Sequence, residues 1–228
     1  RQGKRNTIGL VIPGIMPNVF GEIAQGVELE ARTLGYGVLI CNTKDNPEQE
    51  AECLGRLRNG LVDGIIIAST GQNGRLVRDI QASGIAVTQL IRAQEPSISS
   101  VVADYYSCAY NGVKYLVSKG CKHVGLINGN MELVPYKERY QGYQKAVKEC
   151  GLQENISKSR VPQYDNFTDG LKGTNYLLDK NPQIDGILSS LDMQGLGALR
   201  ALKEREIAVP EQVKVISLTG HSIGAMLE

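Results

Sequence analysis

Short apolar runs alternate along the chain with longer stretches in which apolar residues recur at helical spacing. Thr7–Ile12 (TIGLVI) is continuous enough to be a strand buried on both faces, and Val19–Leu34 follows with Ile23, Val27, Ala31 and Leu34 on one helical face. Gly35 and Gly37 bracket Tyr36 where that helix must stop. Val38–Cys41 is the next strand. Pro47 opens a second helix at a position where its missing N–H costs nothing. Asp63-Gly64 leads into strand Ile65–Ala68, and helix Gly74–Ala82 and strand Ile85–Leu90 follow. This βαβα alternation predicts a parallel sheet with helices on both faces.

The pattern then starts again. Val124–Ile127 (VGLI) echoes Ile8–Val11 (IGLV), Cys150-Gly151-Leu152 echoes Leu34-Gly35-Tyr36, and Ile184-Asp185-Gly186-Ile187 echoes Val62-Asp63-Gly64-Ile65. Any two α/β units share some landmarks. Here three recur in one order at nearly one separation, as a domain duplication would place them. The expected fold is therefore α/β, with two Rossmann-like lobes joined near Val101–Tyr105: residues 7–103 and residues 104–228. Residues 1–6 are polar and basic, with no apolar signal core behind them, and read as a linker from a preceding domain. Strand Val213–Leu218 and a helical start at Ser222–Leu227 close the chain without a visible return to the first lobe, so a C-terminal return segment is expected to be missing.

Composition narrows the function classes. The 25 basic and 24 acidic residues give a formal net charge of +1, whereas affinity for phosphate backbones needs clustered Lys and Arg. These residues alone would bind DNA weakly. Five cysteines, an odd number with no CxxC pair, argue against a disulfide framework or a thiolate zinc site and favour a reducing, cytoplasmic compartment. No apolar run reaches the length of a membrane span. HExxH, GxSxG and phosphate-loop motifs are missing, and no metal or cofactor is expected. Gly195-Leu196-Gly197 begins like a dinucleotide fingerprint but lies inside a helical pattern. The two Asn-x-Ser/Thr tripeptides, at Asn155 and Asn166, say nothing about a cytoplasmic protein.

In open parallel sheets ligands bind beyond the carboxyl ends of the strands. With two lobes those ends can face one another across a cleft. The segments just after the strands supply the candidate lining: Asn18, Phe20, Ser69, Arg92, Arg139, Phe167, Asp192 and His221, with Gln163 and Asn166 beside them. Phe20 and Phe167 are the only phenylalanines in the chain, and one falls at this end of each lobe. Flat aromatic faces with Arg, Asp and Asn around them suit a sugar or another hydroxyl-rich solute. Bland alternatives stand beside each assignment. Either phenylalanine could be core, Arg139 could be a surface charge on a helix over Lys137–Lys148, and Asp192 could cap the helix Met193–Glu204. His123, just before a strand, reads as structural or solvated.

Several of these runs resemble the effector-binding core of LacI/GalR transcription repressors. They include Ile8–Pro13, Phe20-Gly21-Glu22-Ile23, Gly26-Val27-Glu28, Cys41-Asn42-Thr43, Val62–Ile66, Arg139–Tyr143, Gly195–Leu202 and Val209-Pro210-Glu211. The resemblance extends over essentially the whole chain. It implies a type I periplasmic-binding-protein-like fold, a homodimer, a small carbohydrate effector, and operator DNA reached through a helix-turn-helix domain absent from these residues. It also implies that the aromatic at Phe20 stacks on ligand, Arg139 anchors it and Phe167 closes over it, with Asp104 the acid at the first crossing between lobes. Gly14 stands where many relatives carry Asp, Leu191 replaces an Asn, and Ser217–Gly220 replaces a run with two acids, which leaves the effector's identity open. The expected role is a ligand-sensing repressor core that catalyses nothing. The alternative is a solute-binding protein of a carbohydrate uptake system.

Overall fold

In the computed structural model, residues 4–15, 19–158 and 166–220 are described. The chain divides into two compact units, Arg1–Ala103 and Asp104–Glu228. The first unit runs β1 (Thr7–Ile12), α1 (Val19–Thr33), β2 (Gly37–Asn42), α2 (Pro47–Arg58), β3 (Gly64–Ile67), α3 (Gly74–Ala82), β4 (Ala86–Leu90) and β5 (Ser100–Val101). Its strands form one parallel sheet in the order β2-β1-β3-β4-β5. Successive side chains of β1 point to opposite faces. Leu10 and Ile12 pack with Phe20 and Ala24 of α1, while Val11 packs with Leu54 and Leu57 of α2 and Val77 and Ile80 of α3. Burial on both faces is why this strand reads as an unbroken apolar run.

The second unit runs α4 (Tyr105–Ser118), β6 (Val124–Asn128), α5 (Val134–Glu149), β7 (Asn155–Lys158), α6 (Asn166–Lys180), β8 (Gly186–Ser189), α7 (Asp192–Glu204) and β9 (Lys214–Ser217). Its parallel sheet has the order β7-β6-β8-β9, repeating the first four positions of the other sheet. Val113 and Leu116 of α4 and Tyr143 and Val147 of α5 cover one face; Leu177 of α6 and Ala198 and Leu202 of α7 cover the other.

The repeated landmarks have repeated causes. A Cβ on Gly9 of β1 would fall 2.8 Å from Leu57 Cδ1, and one on Gly125 of β6 would fall 3.0 Å from Leu177 Cδ1. Each glycine lets a flanking helix, α2 in the first unit and α6 in the second, lie against the central strand. Asp63, before β3, accepts hydrogen bonds from the backbone N–H groups of Arg5 (3.0 Å) and Asn6 (2.7 Å) at the entry to β1. Asp185, before β8, accepts them from Lys122 (2.8 Å) and His123 (2.8 Å) at the entry to β6. The Asp-Gly pairs thus tie neighbouring strand entrances together. His123 enters this arrangement through its backbone.

Some elements escape the periodicity. β5 is two exposed residues; it is held beside β4 by the buried Gln89, whose amide donates to Glu95 O (2.8 Å) and Ile98 O (3.2 Å). β7 is the polar run Asn155–Lys158, and the buried Tyr143 hydroxyl lies within 2.9 Å of backbone groups on both β6 and β7. α5 begins at Val134, ahead of the Lys137 start that spacing suggests, because Pro135 fits the first turn. Gly197 serves a helix crossing: a Cβ there would lie 2.1 Å from Phe167 O. The cysteines are free thiols, and burial with Cys53 alongside pushes the Cys41 thiol up to about 11.

Candidate functional site

In the first unit the strand order reverses direction between β1 and β3, the topological point at which ligands gather in open α/β sheets. The loop after β3 is fixed there by a buried carboxylate. Glu50, on α2 and out of solvent, accepts hydrogen bonds from Ser69 Oγ (3.2 Å), Thr70 N (2.7 Å), Thr70 Oγ1 (2.9 Å) and Asn73 Nδ2 (2.9 Å). Ser69 also accepts from Gly71 N at 3.0 Å, so its hydroxyl serves the loop itself.

Arg92, just past β4, is 5% exposed. Its guanidinium pairs with both oxygens of Asp45 (2.5 and 3.0 Å), lies 3.4 Å from Ser69 O, and sits 5.7 Å from the centre of the Phe20 ring. Three non-glycine residues around this pair adopt left-handed backbone: Lys44 (φ 52°), Asp45 (φ 52°) and Ile91 (φ 60°). For a β-branched residue such as Ile91 this conformation is a steric outlier, and strain of this kind persists where surrounding contacts impose it. Here it aims Arg92 and Asp45 at one another.

The second unit is built differently. Asn128, at the end of β6, donates to Tyr136 O (2.9 Å) and accepts from Ser190 Oγ (2.7 Å) at the end of β8, linking the two central strand ends. A Cβ on Gly129 would lie 2.5 Å from the Tyr136 ring, so only a glycine lets that ring fold over the strand terminus. Arg139 is 4% exposed, with its guanidinium 4.7 Å from the ring centre of Tyr105 and 5.7 Å from that of Tyr136. Its Nε has no hydrogen-bond partner, and among the described residues no carboxylate lies within ion-pair distance of it. Burial lowers its proton affinity from the ordinary value, while the facing tyrosines raise it. An arginine nonetheless keeps its charge in a protein. The surface-charge alternative for Arg139 is thereby removed.

The structure brings Phe20, Ser69 and Arg92 into one cluster, in which Phe20 is also part of the α1 core. Phe167 and Asp192 lie in the first turns of α6 and α7, whose backbones meet where a Cβ on Gly170 would fall 2.0 Å from Gln194 O. Asp192 is the first residue of α7 and not its cap. Leu191 holds the N-cap position, the Gln194 side chain accepts from Leu191 N (3.2 Å), and Asp192 N donates to Thr219 Oγ1 (2.9 Å). Asp104 caps α4, accepting from Ser107 N at 2.8 Å, and that bond holds its carboxyl below the usual range. Asn18, Gln163, His221 and the Ser222–Leu227 helical start lie outside the described residues.

Sequence reasoning missed Asp45, Glu50 and Tyr105, while Tyr136 falls within the candidate segment Asn128–Arg139 without being singled out. The loop after β2 follows a strand like the others and belonged among the candidate segments. Glu50 stands in register with Leu54 and Leu57 on the buried face of α2, a carboxylate inside an apolar stripe. A shallow, open depression of about 450 Å³ along α5, lined by Gln144, Lys145, Lys148, Leu152 and Glu154 among others, shares none of the predicted residues.

The family described as periplasmic binding proteins and sugar binding domain of LacI family matches residues 5–222. The chain is 29% identical over 220 residues to the ribose operon repressor of Halalkalibacterium halodurans, covering 96% of this chain and 64% of the relative. It is 25% identical over 226 residues to catabolite control protein A of Priestia megaterium, covering 98% and 68%. The chain thus spans about two thirds of the length of these relatives. Among solved structures, a periplasmic binding protein/LacI transcriptional regulator from Alkaliphilus metalliredigens complexed with D-xylulofuranose superimposes with a TM-score of 0.85 at 26% identity, covering 97% of this chain and 81% of that one. The transcription regulator CcpA of Lactococcus lactis gives 0.82 at 26% identity, with 95% and 79% covered.

Proposed function

The chain belongs to the family of periplasmic binding proteins and LacI-type sugar-binding domains, and from that premise we propose that it is the effector-sensing core of a LacI-type transcription repressor. Each unit has the type I periplasmic-binding-protein-like architecture of parallel strands flanked by helices. The proposed ligand is a sugar or sugar phosphate taken by residues at the carboxyl ends of the strands. Phe20 and Arg92 serve from the first unit and Arg139, Phe167 and Asp192 from the second, with Asn18 and His221 in the same proposed set. Ser69 and Asp45 act as positioning residues for Arg92.

The observation that carries this reading is Arg139, a buried guanidinium with an unpartnered Nε on α5, the helix that follows β6. Burying an unpaired charge costs several kcal/mol. A polyhydroxy ligand that brings hydrogen-bond acceptors to the guanidinium would recover part of that cost. The regulator complexed with D-xylulofuranose supports a ligand of monosaccharide size.

In the whole protein, a homodimer in this proposal, a DNA-binding segment reads the operator. The effector shifts the balance between high- and low-affinity states by its differential affinity alone, commonly ~1–3 kcal/mol of coupling. The matched relatives are transcription regulators, which favours this reading over a transport role or an enzymatic one. No helix among the described residues is long and apolar enough to cross a membrane, and the site of action proposed is the cytoplasm. Calorimetric titration with a panel of pentoses, hexoses and their phosphates tests the site. A binder is expected whose affinity falls about a hundredfold or more in Arg139→Ala, the loss typical of a truncated charged contact. A binder that ignores this substitution would remove Arg139 from the site.

A further inference from the structure

Five thiols are spread along the chain, and two of them meet in the first unit. Cys41 is on β2 and Cys53 on α2, both half-buried. β2 is an edge strand, and Cys41 stands beside Val11 of β1 in the parallel register. Alternation along β2 turns Val38 to the α1 side and Cys41 to the α2 side, where Cys41 packs on the cluster of Val11, Leu54 and Leu57. Cys53 follows Glu50 by one helical turn and precedes Leu57 by another, so it flanks the buried stripe of α2. The two sulfurs come within hydrogen-bond reach of each other. The other three thiols have different neighbours: Cys108 donates to Leu218 O, Cys121 donates to Asp185 O, and Cys150 accepts from the Lys114 ammonium.

The segment between Cys41 and Cys53 organises the strand ends of this unit. It carries Asp45, which meets Arg92; Asn46, which caps α2 by accepting from Gln49 N (2.8 Å); and Glu50, which gathers the loop after β3. A covalent bond holds two sulfurs closer than a hydrogen bond does, so joining them draws α2 toward the β2 edge, and Glu50 moves with the helix. We infer that Cys41 and Cys53 form a redox site, a dithiol that closes reversibly to a disulfide and thereby resets the Asp45 turn and the loop after β3. A disulfide of this transient, sensing kind is the one a reducing compartment allows. The redox site stands whether or not the first unit takes a sugar.

The oxidant is a hydroperoxide. Burial and the neighbouring Cys53 keep the proton on Cys41, whose thiol is pushed up to about 11, so the first attack falls to Cys53. With its proton passed to solvent, the Cys53 sulfur attacks the terminal peroxide oxygen. The O–O bond breaks, and the leaving alkoxide takes a proton to become an alcohol, or water when the oxidant is hydrogen peroxide. Cys53 is then a sulfenic acid. The Cys41 sulfur displaces its hydroxyl: an S–S bond forms, the S–O bond breaks, and hydroxide leaves with the Cys41 proton as water. The two sulfurs together lose two electrons, and the peroxide gains them. A thiol reductant reverses the change through a mixed disulfide.

The test treats the reduced 228-residue chain with equimolar hydrogen peroxide, beside Cys41→Ser, Cys53→Ser and a Cys108→Ser/Cys150→Ser chain with fewer competing thiols. The unchanged chain and the Cys108→Ser/Cys150→Ser chain are expected to lose the mass of two hydrogens, regained with dithiothreitol. Trypsin without reductant should then yield residues 33–44 joined to residues 45–56. Tm is expected to rise by about 3 °C or more, since the bond closes a short loop in the unfolded chain. Amide exchange should change in residues 42–52 and 69–73 and keep its original rate in β6–β9. Cys41→Ser is expected to stop at a sulfenic acid on Cys53 that dimedone labels, and Cys53→Ser to leave Cys41 unoxidised at the same dose.

Oxygen added at separate cysteines, with no link between the two peptides, would overturn the inference. A link that leaves Tm unchanged or lower would also overturn it, because the thiols would then meet only as the fold loosens. A link without altered exchange in residues 42–52 and 69–73 would remove its reach to Asp45 and Glu50. Dimedone on Cys41 in Cys53→Ser, with none on Cys53 in Cys41→Ser, would overturn the order of attack.

Discussion

At the scale of single residues, the first unit's cluster is organised by two acids with opposite tasks, the buried Glu50 and the partly exposed Asp45. Glu50 gathers four hydrogen bonds, three of them from side chains, and so pins the loop after β3. Glu50→Ala would leave those donors buried without an acceptor, at a cost of about 3–5 kcal/mol; Glu50→Gln, which keeps one acceptor oxygen, should cost about 1–2 kcal/mol. Urea denaturation of the two variants separates these values. Asp45 balances Arg92, and its removal takes the carboxylate from a guanidinium that is 5% exposed, so Asp45→Ala should lose about 3 kcal/mol while Asp45→Ala/Arg92→Met recovers most of it. Equal losses in the single and double variants would show that the pair is not what matters. Glu50 went unread although the sequence offered a signal, a charge in the stripe of Leu54 and Leu57. Asp45 was hidden because its place depends on the left-handed turn at Lys44-Asp45, which no apolar spacing announces. Arg139 was legible as a candidate, but its burial between two tyrosines depends on how α4 and α5 pack.

At the scale of elements, the helices of the second unit approach one another through glycines. A Cβ at Gly142 would fall 2.1 Å from Tyr106 O on α4, and one at Gly170 would fall 2.0 Å from Gln194 O on α7, in each case against backbone that cannot step aside locally. Gly142→Ala and Gly170→Ala are each expected to cost upward of about 2 kcal/mol by forced separation of the helices. Gly55 on α2 faces open space, so Gly55→Ala should gain about 0.5–1 kcal/mol from helix propensity. Shifts of urea midpoint in opposite directions check the contrast. The strand entrances carry a pH signature. The backbone N–H groups of Arg5, then Asn6 and Thr7, hold the Asp63 carboxyl below its ordinary value of 3.8. A carboxylate lowered in the folded state stabilises above its unfolded value, and that contribution fades as pH falls through the folded one. The urea midpoints of the unchanged chain and Asp63→Asn should therefore differ at pH 6 and converge as the pH drops below 3.8. Parallel curves would mean that the charge of Asp63 adds nothing. These elements were unevenly legible. The strands buried on both faces announced themselves, while β5 and β7 are polar or exposed and hold their places through Gln89 and Tyr143.

At the scale of the whole molecule, the duplication gives two units that each carry a complete set of folding instructions. The strand order of the second sheet repeats that of the first, and the glycine and aspartate landmarks perform the same work in each. The fold could be read from the sequence because those landmarks have steric and hydrogen-bonding causes that survive divergence of the surrounding residues. The candidate residues were less readable, since the two units treat their buried arginines differently: Arg92 is paired with Asp45, whereas Arg139 has no ion-pair partner among the described residues. Among the described residues, each of the four buried clusters draws its members from one unit, so stability should be partly separable, as is common in multidomain chains. Hydrogen exchange resolved by peptide can test this with two substitutions. Glu50→Ala should speed exchange in the strands β1–β4 and leave β6–β9 near their original rates. Tyr143→Phe removes the hydroxyl that joins β6 to β7, and should do the reverse at about 1–2 kcal/mol. If either variant accelerates both sheets equally, the two halves unfold as one cooperative body, and a perturbation in one must then be felt throughout the other.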